Sequence, residues 1–200
     1  MTQQDFFEPE LTLPDEEAAY LREAYAGADC ILEYGSGGST VVAARLGRSQ
    51  LFSVESDPDW ARNLRGWLAS EGLDARTQVW HMNIGKTCEW GRPARYRRKD
   101  APLYYRYANA AWRRLGGHQP DLVLIDGRFR IGCFIATLAS IRKPARVLFD
   151  DYTDRPHYAY VEQFAKPVER IGRMMVFDLE PVRFGAALKL RHARRFLDPI

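Results

Sequence analysis

Two groups of residues in this 200-residue chain have types and spacing that could do chemistry. The first is Glu33-Tyr34-Gly35-Ser36-Gly37-Gly38-Ser39, directly after the apolar run CILEY at 30–34. Glycines there permit a tight turn with positive φ and let backbone amides approach a ligand closely. A helix that follows such a turn aims its N-terminus at the same ligand. Glu55 closes the next apolar run, LFSVE at 51–55, 20 residues after Gly35. A carboxylate at that place can accept hydrogen bonds from both hydroxyls of a ribose. The combination points to a nucleoside-containing ligand. The second group is acidic: Asp126 ends DLVLID, and Asp150-Asp151 end ARVLFD. Ligands of open parallel sheets sit at the carboxyl ends of the strands. Three carboxylates brought together there repel unless a cation or shared protons intervene.

The type of nucleoside can be narrowed. A dinucleotide fingerprint GxGxxG would need Gly where the sequence has Thr40, and it would place a pyrophosphate at the turn. Glu33, two residues before the first Gly, would repel that pyrophosphate. S-adenosylmethionine carries a cationic sulfonium and an ammonium group instead, and its carboxylate can still meet the helix end. An acid before the glycines favours that ligand.

The elements that must position these groups alternate. Pro14 with Asp15, Glu16 and Glu17 opens a helix that Gly27 stops. Strands over 30–34, 51–55 and 77–82 are separated by helices ending at Gly47 and Gly72, the second beginning at Asp57-Pro58. Further helices are expected over 104–115 and 129–142, and 156–165 has a helical pattern. The continuous apolar runs at 121–126 and 145–150 have the character of central parallel strands. Two β-rich stretches, 168–178 and 184–192, complete the expectation. An α/β fold follows.

Composition sets limits. At 46% hydrophobic and 28% charged residues the chain is of ordinary globular type, which excludes collagen-like and disordered classes. Cys30, Cys88 and Cys133 form no metal-ligand spacing and no disulfide framework, so a reduced, cytoplasmic setting is expected. MTQQDFFEPE lacks the pattern of a signal peptide, and no membrane-spanning run is present. The net charge of +3 hides an asymmetry. Residues 86–118 carry nine Lys and Arg against Glu89 and Asp100, a local +7, and the rest of the chain carries −4. This basic island, with an aperiodic loop over 85–103, is expected to form an insertion or cap at about 85–118 on one domain spanning 1–200. Its charge points to an anionic partner.

The run ExGxGGS, then Glu55, Asn83 after the third strand and LIDG resembles the class I S-adenosylmethionine-dependent methyltransferase superfamily. The resemblance covers about residues 28–190. It implies a Rossmann-like three-layer α/β sandwich on a seven-stranded sheet of order 3-2-1-4-5-7-6, the last strand antiparallel. It also implies that Glu33, Gly35, Ser36, Gly37 and Ser39 surround the methionine moiety of S-adenosylmethionine. Glu55 would hold the ribose, Asn83 the adenine, and Asp126 would contact the donor. Asp126 and Asp150 are similar to the metal-binding acids of small-molecule O-methyltransferases of the catechol and caffeoyl-CoA type. That likeness implies Mg²⁺ or Ca²⁺ held by Asp126, Asp150 and Asp151, with Asp126, Arg128 and Asp150 acting on the acceptor. Asp151 stands where that group has Asn, and Phe129 where it has Lys. Arg128 is the expected substitute cation if no metal binds, paired with Asp150 or with an acidic acceptor.

The resulting expectation is O-methylation of a small anionic or hydroxylated acceptor. Two alternatives stand beside it. The basic segment interleaves Trp90, Tyr96, Tyr104, Tyr105, Tyr107 and Trp112, a pattern that holds single-stranded RNA and fits an RNA methyltransferase. A non-catalytic protein that binds S-adenosylmethionine or a partner is the other. The oligomeric state is left open.

Overall fold

The computed structural model describes residues 6–183 and 185–199. Seven strands make one sheet: β1 (Cys30–Tyr34), β2 (Gln50–Glu55), β3 (Thr77–His81), β4 (Leu122–Ile125), β5 (Ala145–Phe149), β6 (Glu169–Ile171) and β7 (Met174–Leu179). In this numbering the order is 3-2-1-4-5-7-6, parallel through β5, with β7 antiparallel to both its neighbours. It is the Rossmann-like sheet expected from the sequence.

Six α-helices cover it: α1 (Asp15–Gly27), α2 (Gly38–Leu46), α3 (Pro58–Ser70), α4 (Ala101–Arg114), α5 (Arg130–Leu138) and α6 (Gly185–Arg191). Strand periodicity divides the core between the two faces. Leu32, Tyr34, Val123, Ile125, Val147 and Phe149 pack with α4 and α5. Ile31, Leu122, Leu124 and Leu148 pack with Leu21 and Tyr25 of α1 and Ala43 of α2. The helix signals act where they were read. Asp57 Oδ1 accepts from the N–H groups of Asp59 and Trp60, both at 2.9 Å, and caps α3. Gly47 ends α2 at φ 68°.

Several expectations need correction. The stretch expected at 168–178 supplies both β6 and β7, joined at Gly172-Arg173, and of the stretch expected at 184–192 the described residues Gly185–Arg191 are helical. Ala-Ala-Leu-Lys-Leu-Arg at 186–191 is a run of strong helix formers. Helix α5 is shorter than 129–142, and α4 begins at Ala101, with Pro102 in its first turn. The segment 156–163 is a 3₁₀ helix, and the aperiodic loop holds a small antiparallel ladder, Thr87–Cys88 with Arg92–Pro93.

The turns that follow the paired strands β1 and β4 approach closely because each carries a glycine, Gly35 and Gly127. A Cβ on Gly127 would lie 2.3 Å from Tyr107 Oη and 2.7 Å from the Gly35 nitrogen. The backbone at Gly35 cannot give way cheaply. Gly127→Ala should therefore cost about 2 kcal/mol and lower the melting temperature by roughly 4–8 °C. Thermal unfolding followed by circular dichroism checks this; an unchanged transition would show that the two turns are not in contact.

Candidate functional site

The glycine turn is built on a buried acid. Glu33 is fully buried, and its carboxylate accepts from Tyr25 Oη at 2.6 Å and from Thr40 Oγ1 at 2.6 Å. Thr40 Oγ1 in turn accepts from the Gly37 N–H at 3.0 Å. A relay thus runs from the turn backbone through Thr40 to Glu33. The acid expected to face a cationic ligand instead lies beneath the turn and fixes its shape. Thr40, which breaks the dinucleotide pattern, is the linking residue; its place in the first turn of α2 was the signal. Ser39 is also buried. Gly35, Ser36 and Gly37 remain half exposed, and a Cβ on Gly37 would meet only the Trp60 ring, at 3.9 Å. That open edge is a cradle a ligand can occupy.

Glu55 ends β2 beside this turn. Its Oε1 accepts from the N–H groups of Ser56 at 2.6 Å and Asp57 at 2.7 Å, and Oε2 from the Ser36 N–H at 3.2 Å. Oε2 is the less committed oxygen and the one suited to ribose hydroxyls. Burial pushes the Glu55 carboxyl up, and the backbone N–H groups of Asp57 and Ser36 pull it back. Gly91 of the basic loop lies against Glu55, with its carbonyl accepting from Ser56 Oγ at 2.8 Å. Thr87 Oγ1 donates to Asp57 Oδ2 at 2.7 Å. Asn83 is exposed, and its Oδ1 caps the Gly85 N–H at 2.8 Å.

The three acids do converge: one oxygen from each of Asp126, Asp150 and Asp151 lies within 4.8 Å of the others. Arginines already neutralise them. Arg130, almost wholly buried, donates through Nη2 to Asp126 at 3.0 Å and Asp151 at 2.9 Å. Its Nη1 reaches the Asp150 carbonyl at 2.6 Å and its Nε the Gly127 carbonyl at 2.9 Å. Arg173 holds both oxygens of Asp150, at 3.2 and 3.1 Å, and pairs with Asp151 at 3.2 Å. Arg155 adds a third contact to Asp151, at 3.1 Å.

A divalent ion needs those oxygens as ligands and would have to displace two guanidinium groups. The residues present therefore do not fit Mg²⁺ or Ca²⁺. Arg130 and Arg173 are the cations that hold these acids; of the two partners expected for Arg128, Asp150 is already held by Arg173. Among the three acids only Asp126 is open, 35% exposed against 17% for Asp151 and 1% for Asp150. Asp150, expected to act on an acceptor, faces inward. Burial raises the Asp126 carboxyl, and the Arg130 charge opposes the shift.

The basic segment reaches the same end of the sheet. Tyr96 stacks on Tyr104 and Tyr104 on Phe129, with centroids 5.3 and 4.8 Å apart. Of the six interleaved aromatics, Tyr104 and Tyr107 are buried, and Trp112 donates to Tyr34 Oη at 2.8 Å. These three anchor α4 on the sheet. Trp90 and Tyr96 are exposed.

No known family model and no curated protein matches the chain. Among solved structures, a methyltransferase-like protein from Silicibacter pomeroyi superposes with a TM-score of 0.85 at 43% identity, over 96% of this chain and 99% of that one. Two others share the fold at low identity. The O-methyltransferase TomG from Streptomyces achromogenes, solved with SAM, has a TM-score of 0.58 at 18% identity, over 86% and 82% of the two chains. An O-methyltransferase from Bacillus cereus, solved with SAH, gives 0.56 at 16%, over 83% and 81%.

Two expectations test this geometry. Removing one partner of a buried ion-pair cluster costs about 3–5 kcal/mol, so Arg130→Met should lose about that much stability in urea unfolding; a loss below about 1 kcal/mol would mean the acids are not clamped. Glu33 carries the pH signature. Burial raises its carboxyl, with the hydroxyls of Thr40 and Tyr25 opposing. A raised carboxyl stabilises fully below the unfolded value of about 4.3 and loses that contribution as pH rises through the folded value. The stability of the protein relative to Glu33→Gln should therefore fall as pH rises from 4.3. A flat difference would contradict the buried placement.

Proposed function

Because the chain belongs to the class I S-adenosylmethionine-dependent methyltransferase superfamily, together with the methyltransferase-like protein of Silicibacter pomeroyi, we propose that it methylates an oxygen of a small anionic or hydroxylated acceptor. The observation that carries this reading is the turn itself. Gly35, Ser36 and Gly37 stay open above the Glu33–Thr40 relay, with Glu55 beside them and Asp126 as the accessible acid.

S-adenosylmethionine, when bound, supplies an activated methyl group on a sulfonium. Methyl transfer then depends mainly on alignment, and a base is needed only if the acceptor must lose a proton. The turn at 35–37 would hold the methionine end, Glu55 Oε2 the ribose hydroxyls and Asn83 the adenine edge. Asp126 would accept the acceptor's hydroxyl proton through the carboxylate oxygen that Arg130 does not hold. Asp150 and Asp151 take no direct part; they hold Arg130 and Arg173. The segment 85–118 would close over the strand ends, tied at Gly91 on one side and by the Tyr96–Tyr104–Phe129 stack on the other.

RNA as acceptor is the second reading, favoured only by Trp90, 69% exposed, and Tyr96, among the basic residues of the loop. Single-stranded RNA binding that weakens steeply with salt would support it.

Calorimetry with S-adenosylmethionine tests the main reading. Binding is expected, and Glu55→Ala should weaken it by about tenfold or more. Preference for NAD over the methyl donor would end the reading. Mg²⁺ and Ca²⁺ should leave the melting temperature unchanged, because arginines fill the acidic cluster; a rise saturating with metal would return the site to a divalent ion.

A further inference from the structure

The cluster at the ends of β4 and β5 is over-neutralised. Three carboxylates, Asp126, Asp150 and Asp151, are held by three guanidinium groups, Arg130, Arg155 and Arg173, and a fourth, Arg128, stands beside them. The first three are all engaged. Arg130 makes four hydrogen bonds, Arg155 pairs with Asp151 and donates to Tyr158 Oη, and Arg173 grips Asp150 and Asp151.

Arg128 is the exception. Among the described residues its guanidinium makes no ion pair, and its Nε is buried with no hydrogen-bond partner. Only its backbone is engaged, the N–H donating to Tyr107 Oη at 3.3 Å and the carbonyl accepting from Cys133 Sγ at 3.4 Å. Arg128 as a whole is half-buried, and a buried polar atom without a partner is costly. Burial lowers the tendency of Arg128 to hold its proton, and the neighbouring Arg130 charge adds to that. Among the described residues no hydrogen bond or ion pair of the Arg128 side chain offsets this cost; the nearby Tyr107 and Asp126 favour its charged form. Phe129, at φ 55°, turns its ring into the core against Tyr104 and Tyr107, so packing fixes the turn that carries Arg128.

Its place says which molecule would pair with it. Arg128 follows the open acid Asp126 by two residues, and the stack of Tyr96 and Tyr104 on Phe129 brings the basic segment against the same turn. It therefore shares a turn with the acid proposed to take the acceptor's proton, and its backbone N–H meets Tyr107 of the segment proposed to cover the acceptor. A guanidinium fork matches a carboxylate or phosphate through two parallel hydrogen bonds.

We propose that Arg128 is the acceptor anchor: the acceptor carries an oxyanion, a carboxylate or a phosphate, that pairs with Arg128 while its hydroxyl meets Asp126. This rests on the methyltransferase reading above and adds to it the group that selects the acceptor. Residue Arg128 thus sets specificity, and Asp126 handles the proton.

The test uses the full chain with ¹⁵N-labelled arginine, the Arg128 Nε signal being assigned by its loss in Arg128→Met. Benzoate and inorganic phosphate are titrated in separate arms, with S-adenosylhomocysteine present and absent. A saturating shift of the Arg128 signal in one arm supports the proposal, and the arm that saturates at lower concentration tells carboxylate from phosphate. Arg128→Met should keep its affinity for S-adenosylhomocysteine within about twofold and unfold at the same temperature or higher, since it removes an unpaired charge. Arg128→Lys keeps the charge without the planar fork and should bind the preferred anion about tenfold more weakly.

Two results would overturn the proposal. One is an Arg128 signal that stays still in both arms at concentrations that shift the exposed Arg95 and Arg98. The other is a loss of about tenfold or more in S-adenosylhomocysteine affinity in Arg128→Met, which would give the guanidinium to the donor's own carboxylate. Failure of S-adenosylhomocysteine to bind the unaltered protein would strike the methyltransferase reading instead, and the arms without it would still decide whether Arg128 takes an anion.

Discussion

The Arg130 guanidinium, buried between the ends of β4 and β5, is the constraint on which this site depends. Parallel strands deliver their carboxyl-end residues to one edge of the sheet, and here three of those residues are acids. Left alone they would repel, and burial would protonate them or push them apart. One planar group with donors in several directions resolves this. It bonds Asp126, Asp151, the Asp150 carbonyl and the Gly127 carbonyl at once. A divalent ion could balance the charge, but the carboxylate oxygens it would need already accept from Arg130 and Arg173.

Topology supplies the second cation. Strand β7 runs antiparallel to β5, with Met175 opposite Phe149. The β6–β7 turn therefore falls at the carboxyl end of β5, and Arg173 on that turn meets Asp150. The turn is itself held from the far side. Glu17 of α1 accepts from the Arg173 N–H at 2.8 Å, and Gly172 at φ 52° lets the backbone come against that carboxylate. A helix before the first strand thus helps to set the geometry of a pair at the end of the fifth.

Much of this was legible in the sequence, for identifiable reasons. The strands announce themselves because parallel strands buried on both faces are continuous apolar runs, and DLVLID and ARVLFD are of that kind. Glu55, Asp126 and Asp150 are legible because they end such runs. The choice between Arg128 and Arg130 was not legible. It turns on the backbone at Phe129, where a left-handed φ redirects the chain between them and sends Arg130 inward. An aromatic residue gives no local sign of that conformation, which L-residues seldom adopt. Arg173 gives no local sign of its role because its partners Asp150 and Asp151 lie on another element; Arg155 stands only four residues after Asp151, in a loop without periodicity to show that they meet. The last stretch carries a simpler lesson: the antiparallel pair is complete within 169–179, so the strong helix formers at 186–191 are free to form a helix.

The buried Glu33 shows how one residue type can carry two readings with the same sequence signature. An acid before the glycines was expected to act on the ligand by charge. Its oxygens instead accept hydroxyl hydrogens from Tyr25 and Thr40, and through Thr40 they fix the Gly37 N–H. A buried carboxylate without a cationic partner is costly, so it needs a return elsewhere in the fold. That return is a turn whose backbone is held in place before any ligand arrives. Glu55 does the same on the other side by accepting from Ser36, Ser56 and Asp57. The two acids thus brace the glycine turn from below and from the side. What is left open between them is backbone: the exposed edge of 35–37 owes its shape to polar groups that stand behind it.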